Sequence, residues 1–229
     1  MSTFAEHVIA YNNALHYEGE LPKGIRIMNP FKESSDANAL SAVFYRKFYN
    51  DNHPRKLILG INPGRFGAGA TGIPFTDPKR LVEFCEIPCT GKVLHEPSSV
   101  FIYDMINAYG GPRAFYSHFY IHSVCPLGFV SVDDQGKETN YNYYDSKELQ
   151  HDVLDFIIDN IQNQLKLDIS KEVCFCLGTG QNASFLMKLN ERYQFFKRIV
   201  PLDHPRFVMQ YKSKSKQEYI DKYLRLLMA

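Results

Sequence analysis

The chain has no tryptophan, and none of its apolar runs approaches the ~20 residues that a membrane span requires. Cysteine is scarce and odd in number, five in 229 residues, which argues against a disulfide framework and for a reducing compartment. The opening residues Met1 to His7 carry no basic leader followed by an apolar stretch, so no export signal is read and a cytoplasmic protein is expected. Net charge is nearly absent as well, at +1. Two catalytic signatures are missing. No glycine-rich stretch ends in the Lys-[Ser/Thr] of a P-loop, and no G-x-S-x-G elbow presents a serine nucleophile.

What is present is a globular composition, 45% apolar and 22% charged, with material for a real core. Repeats, low-complexity tracts and long linkers are not found, so residues 1–229 read as a single domain with a helical part over residues 1–50 packed on it. The small net charge is unevenly spread: from Arg192 onward there are nine Lys or Arg against three Asp or Glu. Such a basic end suits a polyanion approaching one face, although on charge alone a solvated lysine-rich terminal helix is the favoured reading. Seventeen Phe and fifteen Tyr supply either an aromatic core or stacking surfaces for bases.

Four apolar runs closed by turn residues read as buried strands: Lys56 to Ile61, Phe119 to Val124, Glu172 to Leu177 and Lys197 to Leu202. Helical spacing is found over Thr3–Leu15, Asp36–Tyr49, Ser99–Tyr109, Leu149–Leu165, Gln181–Tyr193 and Gln217–Met228. Strands alternating with helices predict a three-layer α/β/α sandwich around a central, mainly parallel four-stranded sheet. Ligands bind beyond the carboxyl ends of such strands, which selects the loops that begin at Asn62, Cys125, Gly178 and Asp203.

The first of these loops is the most unusual stretch of the chain. Between Gly60 and Phe75 it holds five glycines and two prolines, which lets backbone approach a ligand closely. The last contains His204-Pro205-Arg206, a histidine placed to donate a hydrogen bond or a proton. A second copy, His53-Pro54-Arg55, precedes the first strand and should lie at the opposite rim. Cys85, Cys89 and His95 have a spacing that fits no common zinc module, and no metal or other cofactor is expected.

Gly60-Ile61-Asn62-Pro63-Gly64-Arg65-Phe66-Gly67, Thr71-Gly72-Ile73-Pro74-Phe75 and His204-Pro205-Arg206 together resemble the motifs of the uracil-DNA glycosylase superfamily. The nearest likeness is to the single-strand-selective monofunctional uracil-DNA glycosylases, whose first motif reads G-M-N-P-G-P-F-G-M-x-x-T-G-V-P-F. Ile121-His122-Ser123-Val124-Cys125-Pro126-Leu127 is similar to the V-H-N-L-C-P-L of that family, and Cys176 to Gln181 is similar to a further stretch. The resemblance implies hydrolysis of the N-glycosidic bond of uracil, or of a C5-substituted or deaminated relative, in DNA. It implies Asn62 and His204 as catalytic residues, the amide orienting water and the imidazole stabilising the departing base. Base binding would fall to Gly64, Phe66, Gly67, Ala68, Phe75 and Ser123, with Phe75 stacking on the base.

Two departures accompany the likeness. Ser123 stands where the family has a base-recognising asparagine, and a hydroxyl cannot make the two-point contact to uracil N3 and O4 that an amide makes. The H-P-S-P-R of the family is shortened, leaving Arg206, Phe207 and Tyr211 as candidates for the duplex wedge, followed by Lys212, Lys214 and Lys216 as phosphate contacts. The expected partner is DNA bound by a monomer. The rival readings are a DNA-binding module that has lost catalysis, a nucleotide enzyme using the glycine-rich loop, and a small-ligand α/β protein.

Overall fold

The computed structural model describes residues 2–89 and 95–229. Strand β1 (Ile25–Met28) lies between helix α1 (Phe4–Ala14) and helices α2 (Pro30–Glu33) and α3 (Ser35–Phe48). Strand β2 (Arg55–Gly60) leads through α4 (Ala68–Thr71) and α5 (Pro78–Glu83) to α6 (Pro97–Tyr109), α7 (Pro112–His118) and β3 (Phe119–Ser123). A hairpin of β4 (Gly128–Val132) and β5 (Glu138–Tyr141) precedes α8 (Lys147–Asp152), α9 (Leu154–Leu165) and β6 (Ile169–Leu177). The chain finishes with α10 (Gln181–Tyr193), β7 (Ile199–Leu202), α11 (Pro205–Tyr211) and α12 (Lys216–Leu227). No helix among the described residues is long and apolar enough to cross a membrane.

The four strands read from apolar runs form one sheet, ordered β3-β2-β6-β7 and parallel throughout. Leu57, Ile58 and Leu59 are buried, as is every residue of β3, because helices cover both faces. On β3, Tyr120 packs edge-on against Phe4 of α1 and His122 against Tyr11 of the same helix. Phe119 points to the other side, against Tyr109 of α6 and Phe115 of α7. The result is the three-layer sandwich that the alternation of strands and helices implies.

The amino-end rim is closed by the second His-Pro-Arg copy. Arg55 has no exposed side-chain surface, and its guanidinium donates to the Asp51 carboxylate (2.8 Å), to the Tyr116 carbonyl (3.2 Å) and across the Phe4 and Tyr49 rings. A buried cation is tolerable only when so fully partnered. The Arg55 hydrogen bonds hold the Asp51 carboxyl below its ordinary range. This copy is structural and sits at the opposite end of β2 from Asn62.

Two expectations need correction. The amino-terminal fifty residues are not wholly helical: β1 pairs antiparallel with β4, which pairs antiparallel with β5, giving a second, three-stranded sheet. Its strands are four or five residues long, too short for alternation to stand out. The helix read over Leu149–Leu165 is interrupted at Val153 (φ −93°, ψ 5°). Leu149, Val153, Ile157 and Ile161 remain buried across the break, so hydrophobic spacing is blind to this local unwinding.

Candidate active site

Asn62 follows β2 and leaves the sheet in the Pro63-Gly64 turn. Its side-chain amide is gripped by the backbone beyond β5: Nδ2 donates to the Tyr141 carbonyl (3.1 Å), and Oδ1 accepts from the Tyr143 N–H (3.1 Å). The second lone pair of Oδ1 is left for a water. The turn carrying Tyr143 is itself closed by Asp145, whose carboxylate accepts from the Asn142 N–H at 2.8 Å and the Asn142 amide at 3.2 Å. One sheet therefore supplies the amide and the other orients it.

Phe75 closes the long loop after β2. Its φ of 52° is in the left-handed region, a conformation that costs a non-glycine residue on the order of 1–3 kcal/mol. The loop is locked around it by Thr71, whose hydroxyl donates to the Thr76 carbonyl (2.6 Å) and accepts from the Ile73 N–H (3.2 Å). A Cβ placed on Gly60 would lie 3.0 Å from the Phe75 ring, so a glycine at the end of β2 is what lets the ring lie down on the sheet. The ring also stands 5.9 Å, centroid to centroid, from the His204 imidazole.

His204 is the N-cap of α11, with Pro205 at the first helical position. Its Nδ1 accepts from the Arg206 N–H at 3.1 Å, so the ring proton of the neutral tautomer resides on Nε2. Burial first, and the Arg206 charge second, push its pKa down to about 4. At neutral pH it is therefore an uncharged donor. Behind it, Tyr223 and Lys222 of α12 bond to the carbonyl and carboxylate of Asp203.

These groups meet. Asn62, Pro63, Gly64, Phe75, Glu96, His204 and Arg206 line one cleft of about 580 Å³, with Asn140, Asn142 and Tyr144 from the hairpin side and Phe207, Gln210 and Tyr211 from α11. A second cavity of about 400 Å³ adjoins it and shares Gly64, Glu96, Ser98, Asn140, Arg206 and Gln210, adding Phe66 and His95. The Glu96 carboxyl is pushed up to about 7, by burial first and by the neighbouring Asp77 charge second, with Arg206 opposing. Burial thus drives the cleft's imidazole and carboxyl in opposite directions, each toward its neutral form.

The profile of the Uracil DNA glycosylase superfamily matches residues 46–228, most of the chain. The chain belongs to this superfamily. Single-strand selective monofunctional uracil-DNA glycosylases of Rattus norvegicus and Mus musculus are each 30% identical to it over 97 residues, 33% of this chain and 33% of theirs, so the match spans a third of those relatives. The crystal structure of wild-type Pedobacter heparinus SMUG2 superposes with a TM-score of 0.98 at 63% identity, covering 100% of this chain and 98% of that one.

Other residues singled out from the superfamily motifs are more dispersed. Gly64 lines both cavities and Phe66 only the second, whereas Gly67 lies against the Glu96 side chain and Ala68 is buried in α4. Ser123 is buried at the end of β3 opposite Gly60, and is not among the residues that line the cleft. Arg206, Phe207 and Tyr211 do line it, the last two forming an exposed aromatic pair at 5.7 Å. Lys212 and Lys214 are exposed past the end of α11, but Lys216 is engaged in an ion pair with Asp104 of α6. Cys85 is a core thiol bonded to the Tyr103 hydroxyl. The sequence reading passed over Glu96, Asn140, Asn142, Tyr143 and Gln210. Only the chemistry of a lone carboxyl directly before a helix could have drawn attention to Glu96.

Proposed function

We propose that the protein is a monofunctional DNA glycosylase that hydrolyses the N-glycosidic bond of uracil or a related base. The observation that carries this reading is the meeting of Asn62 and His204, from the carboxyl ends of β2 and β7, in one cleft floored by Phe75. A nucleotide rotated out of its strand, at a cost of a few kcal/mol, enters this cleft and recovers part of that cost by stacking on Phe75, about 1–3 kcal/mol per base.

The C1′–N bond then breaks, its electron pair leaves with the base, and the sugar gains oxocarbenium character. The His204 Nε2–H donates to the developing anion at the base carbonyl. A neutral donor suits this task because it exists at every pH above about 4. Water held on Asn62 Oδ1 adds to C1′ and loses one proton to solvent, while the departed base anion takes one up from solvent, leaving an abasic site and the neutral base. An amide has no useful proton affinity, so Asn62 positions the water without deprotonating it. Among the described residues no lysine lines the cleft, which favours direct hydrolysis over a Schiff base with the sugar.

DNA approaches across α11. Arg206, Lys212 and Lys214 meet its phosphates, and the Phe207–Tyr211 pair occupies the space that the extruded nucleotide leaves. Ser123 is buried outside the residues lining the cleft, so the range of bases accepted is to be read from activity. The test is incubation of the protein with labelled single- and double-stranded oligonucleotides carrying uracil, 5-substituted uracils or hypoxanthine, followed by alkali. Strand breakage at the modified base is expected. Intact strands with every lesion would overturn the enzyme reading and leave a DNA-binding module.

A further inference from the structure

Glu96 lies on the divide between the catalytic cleft and the adjoining cavity. Its backbone is pinned, the N–H donating to Asp77 Oδ2 (2.9 Å) and the carbonyl accepting from the Ser99 hydroxyl (2.7 Å). Its side chain folds over the glycine loop so closely that a Cβ on Gly67 would stand 1.9 Å from Oε2. Oε2 is sealed from solvent there and has no hydrogen-bond partner among the described residues. Among the described residues, the charged and titratable groups around it are Asp77 at the start of α5, Arg206 on α11, His204 across the shared cleft, and His95 beside it in the chain, whose Nδ1 is 3.1 Å from the Arg80 guanidinium.

An ionised carboxylate would be doubly misplaced here. It would lack donors for a buried oxygen, and it would face the phosphates of any strand that Arg206 attracts. A carboxylic acid protonated on Oε1 removes the second conflict, lessens the first because an unpaired neutral oxygen is far cheaper to bury than a charged one, and brings one O–H to the surface that DNA must cross. We propose that Glu96 serves the DNA complex as a neutral carboxylic acid, donating a hydrogen bond to a backbone oxygen of the strand laid across the two cavities. The inference rests on DNA being the substrate. The free protein is poised for it, because burial and Asp77 already push the carboxyl up to about 7. A phosphate paired with Arg206 cancels the one opposing influence, so DNA binding takes up a proton in the neutral range.

The test is the binding of the full chain to a single-stranded oligonucleotide carrying 2′-fluoro-deoxyuridine, whose glycosidic bond resists hydrolysis. Fluorescence anisotropy at constant ionic strength gives Kd from pH 6 to 8.5. Wild-type Kd is expected to rise about 30-fold over that range, the change for binding that requires one proton on a group at about 7. Glu96→Gln keeps the shape and removes the proton, so its Kd should be flat and, at pH 8.5, lower than that of the wild type. Protonation of His95 would give a slope of the same sign, so His95→Asn must retain the wild-type slope. Calorimetry near pH 7 in buffers of different ionisation enthalpy should register proton uptake in the wild type and none in Glu96→Gln.

A slope that persists in Glu96→Gln, one that disappears in His95→Asn, or a wild-type Kd that ignores pH would each overturn the proposal. Failure to bind any DNA would instead overturn the glycosylase reading beneath it. A thermal melt of Glu96→Gln that matches the wild type separates lost linkage from lost folding.

Discussion

The two sheets contribute to the cleft in different ways. The parallel sheet delivers side chains: Asn62 follows β2, which is buried along almost its whole length, and His204 follows the half-buried edge strand β7. The antiparallel sheet delivers backbone: the carbonyl of Tyr141 and the N–H of Tyr143 hold the Asn62 amide from both ends. The proposed chemistry on the first sheet therefore depends on rigidity in the second, although the two share no strand pairing among the described residues.

The sharpest way to break this comparison is to remove the delivered side chains. His204→Ala should lower single-turnover rate about 10²–10³-fold, the effect of losing one well-placed donor to a developing anion. Asn62→Ala should fall in the same range, with melting temperature little changed in either variant. A loss below tenfold in both would detach the cleft from the chemistry.

Acid should act next most strongly, and through the core of the parallel sheet. His122 on β3 is pushed down to about 4 by burial, as His204 is. The unfolded chain, with histidines near 6.5, binds protons that the folded state refuses. Stability is thus intact above pH ~6.5 and declines as pH falls toward 4, by up to about 3 kcal/mol for His122. Urea melts of His122→Gln should show a shallower decline across that window than the wild type.

Gly67→Ala drives a methyl into the Glu96 carboxyl and should cost about 1–3 kcal/mol of stability, or displace Glu96 and weaken DNA binding. Asp145→Ala loosens the turn that carries Tyr143. Losing that hydrogen bond is worth about 1 kcal/mol, so kcat should drop about fivefold while Kd for DNA holds. This variant tests the supporting role of the second sheet directly. The smallest effects belong to two lysines. Lys214→Ala should lower the slope of log K against log salt by about 1, as a phosphate contact would. Lys216→Ala should instead cost under about 1 kcal/mol of stability, since its partner is Asp104 on the protein surface.

Much of the parallel sheet was legible because strands covered on both faces must be continuously apolar and end in turn residues. β2, β3 and β6 could be read from that requirement, and the half-buried edge strand β7 from its apolar run and the turn that closes it. The glycine-rich loop and the late His-Pro-Arg were legible as motifs, and the earlier copy was separable from them by topology, since Arg55 begins the strand that Asn62 follows. The short strands β1, β4 and β5 were not, because four or five half-exposed residues carry no distinctive period.

The amino-acid order alone thus determined the layered core and the types of side chain delivered to one rim, since burial and turn chemistry act over a few neighbouring residues. Tertiary structure alone decided that Asn62 is oriented by backbone some eighty positions away, that the His204 ring proton sits on Nε2, that Ser123 is buried outside the residues lining the cleft, and that Glu96 Oε2 has no partner among the described residues. Hydrogen bonds and desolvation between distant segments depend on distances set only once the whole chain has closed.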